Sequence, residues 1–369
     1  MKHWLLIPII LAAARWPVSA QGSPAQDSAS QDAPAPESRH DFRYSFAAIE
    51  DATYYGNLSV PTPRTLNQLL IEPYFSVRYL DRWTFSSSLV GAADSYTGTH
   101  SQLRVKETYA GLSAGDFDFT LGRRMVRWGT GYAFTAAGVL DPARDPTNPT
   151  DRLSLNQGRD MIKADYVHGP HAFSLAWSSA ALAPAGSNLR DTTAFRYNVL
   201  VHGFDTSLIA GDDRGGDAFG ALTFTRVLGQ AWEIHGEAAW REQGAILLGG
   251  KYTTTSGITF IAEFYTPPNI SYYRDITMVP LDGRQHYAFF RASKSRLREL
   301  PGWKQWDLAG AMVDNLNDRS YTAVFDAERR FGNRFSSYLH LEVPAGSKTS
   351  EYGATPYSAA TSVGVRFQL

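Results

Sequence analysis

The chain keeps one rhythm along most of its length: runs of about ten residues in which large apolar and polar side chains alternate. The clearest run sets Trp232, Ile234, Gly236, Ala238 and Trp240 on one face against Glu233, His235, Glu237 and Arg241 on the other. Phe195, Tyr197, Val199 and Val201 alternate in the same way with Arg196 and Asn198. So do Ile258, Phe260, Ala262 and Phe264 with Thr259 and Glu263, and Phe335, Leu339, Leu341 and Val343 with Ser336, Tyr338, His340 and Glu342. A period of two belongs to a β-strand whose two faces meet different surroundings. From Asp41 onward no segment carries a helical stripe, and none has the roughly 18 consecutive apolar residues of a membrane helix.

The breaks between runs alternate as well. Short turns fall at Asp81-Arg82, Ala114-Gly115-Asp116, His168-Gly169-Pro170, His202-Gly203, Leu228-Gly229-Gln230, Thr255-Ser256-Gly257 and Phe331-Gly332-Asn333, with a slightly longer one around Pro301-Gly302. Between them lie longer polar connections near 56–67, 93–101, 129–159, 181–191, 211–217, 241–244, 266–284, 314–318 and 344–357. This order predicts an all-β chain folded as a transmembrane antiparallel β-barrel. Counting runs gives about 18 strands (16–18), with short periplasmic turns and long extracellular loops. Trp83, Trp177, Trp232, Trp240, Trp303 and Trp306 fall near strand ends or on outer faces, where aromatic girdles belong. A soluble sandwich needs a dense core between its sheets, whereas the polar faces here carry many charges.

The two ends speak of export. Lys2 followed by the apolar stretch Trp4 to Ala14 and the small residues Val18-Ser19-Ala20 reads as a signal peptide over 1–20, cleaved after Ala20. Residues 21–40 contain no aromatic or large aliphatic side chain and read as a disordered periplasmic leader, which leaves 41–369 for the barrel. The expected location is the outer membrane of a Gram-negative bacterium, reached by Sec export. Cysteine is absent, so stability has to come from hydrogen-bonded architecture rather than disulfides. Removing 1–20 takes away Lys2 and Arg15 and leaves 33 of the 35 basic residues against 36 acidic ones. That near-neutral balance carries no electrostatic footprint for nucleic acid. The alternating end Ser362 to Leu369, with Phe367 near the terminus, is similar to the C-terminal strand by which the barrel assembly machinery receives outer-membrane proteins.

One connection stands out by length. Residues 129–159 follow a strand ending Leu121-Gly122-Arg123-Arg124-Met125-Val126-Arg127-Trp128, and such long connections are usually functional. Asp-Pro and Asn-Pro turns stiffen this one, and Tyr132, Phe134, Val139 and Leu140 can anchor it, so it is expected to fold into the barrel and narrow the pore. Gly122-Arg123 leading to Trp128-Gly129-x-Gly131, then Asp141-Pro142 to Asn148-Pro149, resembles porin-like outer-membrane barrels. It is most similar to a poorly characterised porin-like and alginate-export-like group, in which a Gly-Arg strand end with Trp-Gly runs into a Pro-rich inward loop. The resemblance implies passive or facilitated passage of small polar or anionic solutes.

A barrel of this size is too wide for its own side chains to fill, so selectivity falls to charges in a narrow zone. The expected pore-lining residues are Arg104, Lys106, Arg123, Arg124 and Arg127 on the basic side, with Asp141, Arg144, Asp145 and Asp151 in the loop. Strict alternation lets only one of Arg123 and Arg124 point inward. Glu233, His235, Glu237 and Arg241 read as a solvated lumenal row; successive members sit about 6.6 Å apart and do not converge as metal ligands. No cofactor or metal site is expected. Expected partners are the solute and outer-membrane lipid and lipopolysaccharide, in a monomer or a trimer. Two alternatives belong to other classes. One is a transporter or exporter of hydrophobic or polysaccharide cargo, suggested by Tyr265, Tyr272 and Tyr273. The other is a barrel enzyme such as a lipid hydrolase built on His340, disfavoured because no serine motif accompanies it.

Overall fold

The computed structural model describes residues 40–369 apart from 61–62, 96–99, 143, 149–154, 180, 182–190, 214–216, 242, 268–283 and 298–301. The signal peptide and almost all of the leader expected at the N-terminus lie outside the described residues. In chain order the strands are β1 (His40–Gly56), β2 (Thr65–Tyr79), β3 (Trp83–Asp94), β4 (His100–Ala114), β5 (Phe117–Arg124) and β6 (Arg159–His168). They continue as β7 (His171–Ser178), β8 (Thr192–Val201), β9 (Phe204–Asp213), β10 (Asp217–Leu228), β11 (Trp232–Arg241) and β12 (Gln243–Thr253). The last six are β13 (Ile258–Thr266), β14 (Tyr287–Lys294), β15 (Trp306–Asn315), β16 (Ser320–Phe331), β17 (Phe335–Ala345) and β18 (Ala359–Gln368).

Every strand pairs antiparallel with its neighbours in the chain, and β1 pairs with β18 as well as β2, so the 18-stranded sheet closes on itself. Closure removes both free edges, the arrangement a β-structure needs where no water can satisfy backbone groups. Alternation sorts the side chains. On β11 Trp232 and Trp240 stand exposed on the outer wall, whereas His235 and Glu237 between them are buried on the inner side. β1 and β14, whose patterns are the weakest in the sequence, pair along their whole lengths.

The strict alternation of short and long connections does not hold everywhere. Only three residues separate β9 from β10 and only one separates β11 from β12. The polar residues that read as loop there, Asp213 with Asp217 and Arg241 with Gln243, are paired ladder members. Polarity at a strand end marks the approach to water, not the end of pairing.

Two local irregularities shape the wall next to the long loop. The register between β3 and β4 shifts between Ser88 and Leu89, which makes Lys106 an extra, bulged residue. Gly122 on β5 has φ +121°, and a Cβ there would collide with the Thr108 carbonyl oxygen of β4. Only glycine lets β5 press against β4 at that point, two residues before the strand ends.

Candidate functional site

Of the 34 residues between Arg124 of β5 and Arg159 of β6, the described ones turn into the barrel. Val126, Trp128, Ala137 and Leu140 pack on Met161, Ala176, Ala194, Ile209 and Phe219, inward residues from five successive strands, β6 to β10. Ala133 and Phe134 reach further, to Leu247, Ile261, Tyr265, Tyr287 and Phe289 on β12 to β14. The Phe134 ring stacks on Tyr265 at 4.9 Å between centroids. On the return, Leu155 packs against Ile49, Leu70, Val90 and Tyr338, inward residues of β1, β2, β3 and β17. The Gly158 N–H then donates to the Lys106 carbonyl at 2.8 Å beside β6. Burying each of the large apolar side chains in these clusters stabilises the docked loop by about 1.5–3 kcal/mol.

Two strand carboxylates fasten the loop. Glu237 on β11 accepts six hydrogen bonds from it. Its Oε1 takes the N–H groups of Thr130 and Gly131 and the Thr130 hydroxyl; its Oε2 takes the N–H groups of Ala136 and Ala137 and the Thr135 hydroxyl. Glu263 on β13 accepts the N–H groups of Tyr132, Ala133 and Phe134. Its Oε1 also lies 3.0 Å from His235 Nε2. A turn of chain that buries its N–H groups must find acceptors for them, and carboxylates make the strongest ones. His235 reaches Glu263 over Gly249, which stands between them in register on β12 and where a Cβ would overlap both side chains.

The polar network continues towards the lumen. The Tyr132 hydroxyl donates to Glu233 at 2.7 Å, and Lys251 of β12 donates to both, at 2.9 and 3.0 Å. Burial pushes the Tyr132 hydroxyl above its ordinary range, with Lys251 pulling the other way. Within the loop Asp141 accepts the N–H groups of Trp128 (2.7 Å) and Gly129 (3.2 Å) and pairs with Arg144 at 3.3 Å. Burial, set against those hydrogen bonds, raises the Asp141 carboxyl above the usual carboxylate range. At the loop's start Glu107 of β4 accepts the Met125 N–H at 2.6 Å.

These contacts redistribute the residues expected at the pore. Arg104 lies between Leu103 and Val105, which face outward, so it projects inward and is exposed. Lys106 is held by Glu72 at 2.9 Å. Of the adjacent arginines, Arg124 is the inward one: it donates to Thr120 at 2.8 Å and lies 4.8 Å from the centre of the Tyr109 ring. Arg123 shares the outward parity of Phe117, Phe119 and Leu121 and pairs with Asp160 at 2.5 Å, which removes it from the lumenal set. Arg127 and Asp145 are exposed, and Asp145 accepts the Thr147 N–H at 2.9 Å. Asp145 also lies within electrostatic reach of Tyr357 in the connection before β18, whose hydroxyl burial pushes up. Asp151 lies outside the described residues.

The row Glu233, His235, Glu237 and Arg241 does face inward, but it is not a solvated row. His235 and Glu237 are 1% and 2% exposed beneath the loop, and Arg241 pairs with Asp213 at 2.5 Å. Asp141 likewise spends its oxygens on its own loop rather than on a lumenal field. Of the tyrosines that suggested cargo binding, Tyr265 is buried against Phe134, while Tyr272 and Tyr273 lie outside the described residues. His340 on β17 lies 3.0 Å from Asp326. Ser362, its register partner, has its hydroxyl 2.7 Å from that of Thr53 instead.

No protein-family model and no curated protein sequence matches the chain. Its fold does match solved structures of outer-membrane porins. Pseudomonas aeruginosa OccK1 (OpdK) superposes with a TM-score of 0.61 at 9% identity, over 89% of this chain and 98% of that one. Acinetobacter baumannii OccAB4 gives 0.60 at 5% identity, over 91% and 100%, and P. aeruginosa OccK5 (OpdH) gives 0.58 at 9%, over 89% and 98%. The fold is that of a porin barrel. Identities this low speak for architecture alone.

Sequence reasoning missed Glu263, Glu107 and Thr135 as residues that organise the site. Glu263 was visible as a polar residue on an alternating strand, and the Gly249-Gly250 pair on β12 was a sign of close approach nearby. Nothing local in the sequence tied either to residues 130–137, more than a hundred positions away.

Proposed function

We propose that this chain forms an outer-membrane channel for passive or facilitated diffusion of small polar or charged solutes, with the inward loop after β5 as its constriction. The observation that carries this reading is the fastening of the loop across the inner wall by Glu237 and Glu263. An 18-stranded barrel is wide enough to hold an aqueous channel, and a pinned loop narrows it to a path with a definite lining. Arg104 and Arg124 project into that path from β4 and β5, and Arg127 and Asp145 are exposed on the loop itself. Fixed charges at a narrow point screen solutes by charge. Among the structures of similar fold, one is of OpdK with vanillate, a small solute bound to a barrel of this architecture.

Planar-bilayer recording tests the proposal. The purified barrel is expected to give discrete ohmic steps, larger after deletion of residues 130–140. A barrel that stays silent both intact and with the loop deleted overturns it. Silence that ends only on deletion supports the exporter of hydrophobic or polymeric cargo instead.

A further inference from the structure

Among the described residues, the outer wall carries one charged side chain away from its margins, Glu50. On β1 the outward row runs Phe42, Tyr44, Phe46, Ala48, Glu50, Ala52, Tyr54, against an inward row containing the buried Ile49 and Asp51. Glu50 is exposed, with Val365 of β18 and Leu69 of β2 as its register partners. It lies four residues from Phe46 and four from Tyr54, about 13 Å along the strand from each, and thus in the middle of the apolar band. Among the described residues, the other charged side chains on the outer face sit at its margins. Arg123 with Asp160, Asp212 and Asp314 are at outer strand ends, and Lys294 ends β14. Arg226 lies over Phe204, and Arg329 over Trp306 and Phe331, at the opposite ends.

We infer that the face formed by β1 to β4 is covered by a second copy of this chain and that Glu50 is the polar centre of the contact. A carboxylate facing hydrocarbon is strongly disfavoured, so such residues meet protein instead. The rest of the face fits a copy of itself. Leu103 on β4, 75% exposed, is a knob. Beside it runs a shallow groove of about 290 Å³ lined by Leu69, Ile71, Gly91 and Ala93. On the far side of β2, Ala48 and Ala52 leave the wall low. A two-fold axis over β2 brings each β1 side against the β3–β4 side of the other copy, because in an isologous contact residue i meets j and j meets i. Each Leu103 then meets a flank of alanines. Each Glu50 meets a flank where Gly91 and Ala93 leave room and Ser101 offers a hydroxyl, with the Asn67 amide near the axis. Small residues let two walls approach closely enough for such hydrogen bonds to form within a membrane. The inference rests on the barrel lying in a membrane and not on what passes through it.

The chain has no cysteine, so single introduced cysteines report contacts without background. Leu69→Cys, outward on β2, is expected to give a covalent dimer with a short bis-maleimide in native membranes, and Leu248→Cys on the distant β12 wall is expected to give none. Adding Glu50→Leu to Leu69→Cys is expected to lower the dimer fraction at least five-fold while the barrel keeps its resistance to SDS at room temperature. Glu50→Gln, which keeps the shape, should lower it less and controls for misfolding. A Leu69→Cys barrel that stays monomeric in membranes overturns the inference. So does one that cross-links to a different polypeptide, or a dimer indifferent to Glu50→Leu.

Discussion

Glu237 on β11 and Glu50 on β1 are both carboxylates well inside barrel strands, and the barrel treats them in opposite ways. Glu237 has the inward parity and is wrapped by six donors from a loop a hundred or more residues away in sequence. Glu50 has the outward parity and has no hydrogen-bond or ion-pair partner among the described residues. What distinguishes them is not residue type or burial tendency but which wall they stand on and what the rest of the chain brings to it. A buried carboxylate is stable where backbone donors converge on it; one on an outer wall has to find its donors in another molecule.

The largest expected effect comes from breaking the inner half of this comparison. Glu237→Ala strands four loop N–H groups, two buried and two part-buried, and should cost on the order of 4 kcal/mol of loop docking. Single-channel conductance should then rise and become noisy. A quiet, unchanged step would mean that the loop is held by packing alone. Phe134→Ala tests that packing directly. It removes a ring 2% exposed against Tyr265, Tyr287 and Phe289 and should cost about 3 kcal/mol. Proteolytic cleavage within 130–137 should accelerate while the barrel stays intact.

Asp141 sharpens the comparison through pH. Because burial raises its pKa, the folded loop binds the proton more tightly than the unfolded chain does. The loop should therefore be most stable below the ordinary carboxylate range, and lose stability as pH climbs from there through the raised value. Asp141→Asn should flatten that dependence in thermal melts followed by Trp128 fluorescence, and a slope unchanged by the substitution would refute the assignment. Arg104→Glu should leave stability within about 0.5 kcal/mol, since its side chain is exposed. It should nonetheless shift the reversal potential in a salt gradient towards cation preference.

Much of the architecture was legible before any coordinates. Alternation and turn spacing carried the strand number, the antiparallel order and the barrel, because a period of two is local and each strand repeats it. The inward loop was legible too, from its length and its apolar anchors. The details of the site were not. Arg123 and Arg124 are adjacent in sequence, and only the register of β5 against β6 sets Arg123 beside Asp160 and leaves Arg124 to the lumen. The row on β11 looked like one exposed to water because its alternation is the same whether water or a loop covers it.

The sequence by itself determined which side chains share a face, since that follows from backbone geometry within ten residues. Only the tertiary structure decided what each face meets. Glu237 and Glu263 became fasteners because the chain between β5 and β6 folds back over them, a contact that joins distant segments and leaves no periodic trace. The register of β1 against β2 and β18 sets Glu50 in the outward row, and nothing in the described chain comes to meet it.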